Sequence, residues 1–262
     1  MSNYKDWINA VDIKVDYFSA FMKAWIAFNS WYESGEIHVS KKTDKEYIEH
    51  LANNTNRFKS YINSLLNANN TEGKTYRDSV ANLHESLLNA AITTQEYIGI
   101  QQSVSFSEVA IKNTNTINKF DYYKNHYECK RVGGTIVTTV YIKTSGSVVF
   151  TFSQSEYNIE ELKDQVAFQR LKDNQKEQCI ACYKELRPYK IESVLSAIED
   201  NSFQMGTYNF VNDINSISRA IVLVLYLLRC CLAHGDVSPD DSANRVYRYA
   251  YEVLVAPLKK LR

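Results

Sequence analysis

Ala220-Ile221-Val222-Leu223-Val224-Leu225-Tyr226-Leu227-Leu228 runs directly into Arg229-Cys230-Cys231-Leu232-Ala233-His234-Gly235-Asp236. An uncharged apolar run without proline or glycine reads as a helix buried around most of its circumference. Either Asn212 or Asp213 can cap its start. Arg229 brings a cation into surroundings that penalise it unless it is paired. His234 follows in the last turn, and Gly235 is the residue that most readily ends a helix in the left-handed conformation. A guanidinium holds phosphate oxygens bidentately, and an imidazole moves protons near neutral pH, so the pair is minimum equipment for cleaving a phosphodiester without a metal. The plain structural reading is that both cations offset the helix dipole. On ideal helix geometry the two side chains lie about 140° apart, which is awkward for one chain to build a full site. Two chains related by a two-fold axis can pool both pairs in one cleft.

The composition sets the frame for that helix. With three prolines and eight glycines among 262 residues, and Leu, Ile, Ala, Lys, Glu and Asn common, helix should dominate. The expected fold is mainly α, one helical domain over residues 1–262 with a small β-hairpin insertion at 103–153. Lys+Arg and Asp+Glu balance at 30 each, which excludes a fold-wide basic field and leaves nucleic-acid contact to local patches. Five cysteines are an odd set with no leading apolar segment, pointing to a reducing, cytoplasmic setting. Residues 220–228 are too short a run to span a bilayer, so no membrane is expected.

Apolar spacing predicts a first helix over residues 4–33, stopped by Gly35, with Phe18, Phe21, Met22, Trp25, Phe28 and Tyr32 on one face. Asn29 is the polar exception in that stripe. Further helices are expected over 43–66, 75–97, 159–171, 175–185 and 241–258, with a loop at 67–73. His84 reads as exposed. Gly133-Gly134 begins a β-hairpin, residues 135–143 and 148–152. The segment before it, residues 119–131, interleaves basic and aromatic residues, so Lys124, Lys130 and Arg131 are candidate contacts to single-stranded RNA. A solvated strand pair is the plainer reading there. Arg245 and Arg248 follow the motif and can hold phosphate beside it. Cys179-x-x-Cys182 has the spacing of a metal or redox pair but lacks a second ligand pair, so two buried thiols are expected, and no metal or cofactor is implied.

The tail from Tyr226 to Asp236, with its arginine, four residues and a histidine, resembles the motif that closes a long helix in the HEPN superfamily. The aromatic helix around Phe21 and Trp25 to Tyr32 is similar to the first helix of stand-alone bacterial members. One position departs: Cys230 stands where that family often has asparagine, which helps orient the motif. The resemblance implies a metal-independent endoribonuclease in bacterial defence or acting as a toxin. Arg229 and His234 are then catalytic, Asn29, Cys230 and Asp236 support them, and the site is shared across a homodimer. It also implies an antitoxin or defence-system partner protein. The alternatives are a non-catalytic sensor of RNA or nucleotides and an interaction module regulating a partner.

Overall fold

The computed structural model describes residues 16–34, 43–94 and 102–262. Two compact units emerge. One is built from the chain up to Ala110 and from Ile191 onward; the other is Ile111–Lys190.

The first unit is led by helices whose starts are written in side chains. α1 (Tyr17–Glu33) begins where Asp16 accepts from the Ser19 amide at 2.8 Å. α2 (Asp44–Asn53) begins with a reciprocal Thr43–Glu46 capping box. α3 (Arg57–Asn67) is capped by Asn56 and α4 (Thr71–Ala90) by Asn70. Each cap satisfies an amide that the first turn leaves without a partner, typically worth about 1 kcal/mol. The Asn56 cap divides the single helix expected over 43–66 into two. The loop expected at 67–73 is already helix from Thr71, and Gly73 sits there because a Cβ would lie 2.2 Å from the Ala68 carbonyl oxygen. The parts of the first and third expected helices at residues 4–15 and 95–97, and Gly35, lie outside the described residues.

α8 (Ile214–His234) and α9 (Asp241–Lys259) complete this layer. Its core is aromatic: Phe21 meets Tyr247 at 5.3 Å, Phe28 meets Phe58 at 4.4 Å, and Trp25 meets Tyr226 at 6.1 Å between ring centres. Burying each such side chain contributes about 1.5–3 kcal/mol. His84, expected on the surface, is instead 1% exposed among Phe106, Tyr208 and Phe210. Those rings come from chain beyond α4, which an α4-only periodicity cannot anticipate.

Strands enter this unit too. β7 (Ser202–Met205) and β8 (Tyr208–Val211) form an antiparallel hairpin around Gly206, whose φ is +58°. β1 (Val109–Lys112) and β6 (Tyr189–Glu192), where the chain passes between units, pair with each other.

The second unit is a four-stranded antiparallel sheet with strands in chain order. It comprises β2 (Ile117–Tyr122), β3 (Asn125–Val132), β4 (Thr135–Ile142) and β5 (Val148–Gln154). Tyr127, Cys129, Ile136, Val140 and Phe150 alternate inward and pack with Leu162, Phe168 and Leu171. The last three belong to or follow α5 (Ile159–Lys163) and α6 (Val166–Gln169). α7 (Asp173–Lys184) adds Cys179, Cys182 and Tyr183 to the same core. Both thiols of the Cys-x-x-Cys pair are buried, and burial pushes Cys179 up to about 12.

Among the described residues the fold is therefore mixed α/β, 51% helix and 21% strand with three antiparallel sheets, and not the mainly helical bundle expected. The hairpin expected over 135–152 is the second half of the larger sheet. Its first half is the basic–aromatic segment 119–131. β1, β6, β7 and β8 are four residues each, too short for alternation to stand out from a helical background.

Candidate active site

α8 is fixed at both ends by its own sequence. Asp213, rather than Asn212, is the N-cap, accepting from the Asn215 and Ser216 amides at 2.9 and 3.3 Å. The Ser216 hydroxyl also donates to its carboxylate, which holds Asp213 below the usual carboxylate range. At the far end Gly235 is left-handed, φ +71° and ψ +26°. The Asp236 amide donates to Cys231 O at 2.9 Å and the Gly235 amide to Leu232 O at 3.3 Å. This is a complete Schellman closure, and it makes His234 the capping residue.

Between those ends the helix is core. Its 21 residues and mean hydropathy of 1.8 match the length and composition of a membrane span, so the shortness of residues 220–228 does not exclude one. Burial of 67% of the apolar window within the protein is the pattern of a core helix. From α9, Tyr247 donates to Leu228 O at 2.7 Å, one residue before the arginine.

Arg229 emerges half-buried at the end of this run. Its Nη1 lies 3.6 Å from Asp44 Oδ2, the first residue of α2. Tyr32 of α1 contacts both Asp44 Oδ1 and Asn29 Oδ1 through its hydroxyl. A phenol has one proton, and burial, followed by the Asp44 hydrogen bond, pushes the Tyr32 pKa far above its ordinary value. Tyr32 therefore donates to the Asp44 carboxylate, with Asn29 Oδ1 as the second oxygen beside its hydroxyl. The result is a relay, Asn29–Tyr32–Asp44–Arg229, drawn from three helices. Arg229 Nε is buried with no hydrogen-bond partner. At about 30% exposure for both side chains the Arg229–Asp44 pair stays partly open to solvent, and such pairs contribute about 0–1 kcal/mol.

Cys230 is half-buried beside Tyr226 and Arg229. Burial pushes its thiol up, against the opposite pull of a Tyr226 hydrogen bond and the guanidinium. His234 is exposed, and its ring makes no hydrogen bond or ion pair with the described residues. The structure does not bring Arg229 and His234 into contact. They are five positions apart, about 7.5 Å along the axis, with Arg229 held by α2. Asp236 closes the helix through its backbone and lines a small pocket of about 200 Å³ with Thr93, Ser238 and Asp240. Among the described residues no group of three or more His, Cys, Asp or Glu converges as a metal site.

Within the sheet unit the candidate basic residues are not one patch. Lys130 pairs with Glu128 at 2.8 Å, and Arg131 donates to Leu186 O at 2.5 Å on the opposite face of β3. Lys124 sits in the β2–β3 turn without an ion pair among the described residues. Arg248 pairs with Glu252 at 3.2 Å, and Arg245 is exposed. Asp44 and Tyr32 are the residues that sequence reasoning missed as members of the site. The signal for Asp44 was present: Thr43-x-x-Glu46 is a capping box, which sets the residue after Thr43 as the first of a helix.

Compared with known protein families, curated proteins and solved structures, the chain matches none.

Proposed function

We propose that this chain is a metal-independent endoribonuclease of the HEPN type, cutting single-stranded RNA as a homodimer in a defence or toxin role. One observation carries the reading. The closing turns of a buried helix present a guanidinium anchored from behind by Asp44 and an exposed imidazole with no partner of its own. In this mechanism His234 acts as general base on the ribose 2′-OH or as general acid for the 5′-oxygen, and water takes the other role. The 2′-oxygen forms a bond to phosphorus, the bond to the 5′-oxygen breaks, and that oxygen is protonated as it leaves. Arg229 offsets the charge gathering on the phosphate oxygens. The products are a 2′,3′-cyclic phosphate and a 5′-OH, and DNA lacks the nucleophile. Because Arg229 turns toward α2 while His234 is exposed, the arginine of one protomer and the histidine of its partner form the working pair. A partner protein that restrains the nuclease fits the same reading.

The test is incubation of purified protein with mixed-sequence RNA in EDTA beside Arg229→Ala and His234→Ala. The reading expects cleavage by the parent and a loss of at least a hundredfold in each variant. Parent protein that binds RNA without cutting it identifies the second reading, a non-catalytic RNA or nucleotide sensor or interaction module. The thiol of Cys230, beside Arg229, favours that alternative.

A further inference from the structure

The sheet unit holds a cleft of about 680 Å³ between the β2–β3 turn, β4, β5 and the segment from α6 into α7. Three cations line it: Lys124, Arg170 and Lys172. All three are exposed, and none carries an ion pair among the described residues. No acid lines the cleft. Asp173 next to it is turned out, 99% exposed and 3.7 Å from Lys176, while Asp121 is taken by His126 and Lys143. In a chain whose formal charge is zero, three unbalanced cations around one cavity are a local anion field. Lys172 is also the N-cap of α7; its amide donates to Gln175 Oε1 at 3.1 Å, and its own side chain makes no cap.

The rest of the lining is not what a bare anion needs. Ile142 and Val149 add apolar surface, and Asn125, Asn174 and Gln175 supply amides that donate and accept. Tyr123 projects at the mouth, 78% exposed, in edge contact with Tyr122 at 4.5 Å. Its backbone is left-handed, φ +49°, in a two-residue hairpin turn, a place usually given to Gly, Asn or Asp. The neighbouring β3–β4 turn uses Gly133-Gly134, both at positive φ. The fold thus accepts backbone strain at Tyr123 to keep an exposed ring beside three free cations, an arrangement that points to a ligand.

We propose that this cleft binds single-stranded RNA, with Lys124, Arg170 and Lys172 on successive phosphates and one base stacked on Tyr123. The proposal rests on the nuclease reading only for its ligand class, and it assigns no chemistry to the cleft. The test uses the full chain and a labelled ten-nucleotide oligoadenylate with 2′-O-methyl sugars. That strand cannot be cut by 2′-oxygen attack, so a failure here is distinct from a failure of the nuclease reading.

Lys124→Gln/Arg170→Gln/Lys172→Gln is expected to weaken binding at least thirtyfold. It should also lower the slope of log affinity against log salt by about two, at about 0.7 per phosphate contact. The same charge removed at Lys163, Lys184 and Lys190 is expected to change affinity less than threefold. Tyr123→Gly separates a binding role from a structural one: it relaxes the turn, so the melting temperature holds or rises, while affinity falls about tenfold. Three outcomes overturn the proposal: no binding by the parent, equal losses from the two charge variants, or Tyr123→Gly binding like the parent. Adenosine monophosphate binding more tightly than the strand would instead make the ligand a free nucleotide, and a polyglutamate peptide binding equally well would make it any anion. Either also overturns the RNA assignment.

Discussion

Arg229 is placed by a chain of side chains rather than by one partner, and each link can be tested separately. Tyr32→Phe removes the proton donated to Asp44 and should cost about 1–2 kcal/mol in urea unfolding. Asp44→Asn keeps the shape but releases the guanidinium. Stability should change by no more than about 1 kcal/mol, while single-turnover RNA cleavage falls about tenfold. An unchanged rate would remove Asp44 from the site. His84 makes a different prediction. Burial among aromatic rings lowers its pKa from the ordinary 6.5, and its Nδ1 has no hydrogen-bond partner. The unfolded chain therefore binds the proton more readily than the folded one. Stability is full above the unfolded value and is lost as pH falls from there through the lower folded value. Melting temperatures between pH 8 and pH 5 should drop more steeply in the parent than in His84→Leu; parallel slopes would mean that His84 does not titrate with unfolding. Of the Arg229 relay, Tyr32 and Asp44 were not singled out from the sequence as site residues. Tyr32 reads as one more ring in an apolar stripe, and only the α2 cap puts a carboxylate opposite the arginine.

At the scale of elements, α8 was legible because every signal agreed: an unbroken apolar run, Asp213 before it and Gly235 after it. The Schellman closure predicts that Gly235→Ala costs about 1–2 kcal/mol, since alanine must hold a left-handed φ of +71°. His234→Ala, exposed beside it, should stay within about 0.5 kcal/mol. Thermal unfolding of the two variants checks both, and a His234→Ala protein as unstable as Gly235→Ala would make the histidine structural. Other elements were harder to read. Leu51 and Phe58 keep helical stride across Asn54-Thr55-Asn56, so the break between α2 and α3 shows only in the Asn56 cap. The hairpin β7–β8 turns on Gly206 but has strands of four residues, and its register is fixed by contacts outside itself, such as the Leu195–Phe210 bridge.

At the scale of the whole molecule, helix-favouring composition hid a second layer of organisation. The sheet unit has its own core of Tyr127, Val140, Phe150, Phe168 and Tyr183, assembled from residues far apart in the chain, and no local window announces it. The proposed site is likewise incomplete in one chain, which predicts a two-fold dimer. Mixing Arg229→Ala with His234→Ala protein should restore part of the lost cleavage, because a mixed dimer can rebuild one intact cleft from unaffected side chains. No recovery on mixing would argue for a site within one chain. The central claim, attack by the neighbouring 2′-OH, is tested most directly with one RNA of known cut site, incubated in EDTA with the nucleotide 5′ of the cut changed to 2′-deoxy. The unmodified strand should yield a 2′,3′-cyclic phosphate and a 5′-OH, and the modified strand should still bind but not be cut there. Cleavage at the deoxy position would contradict the claim.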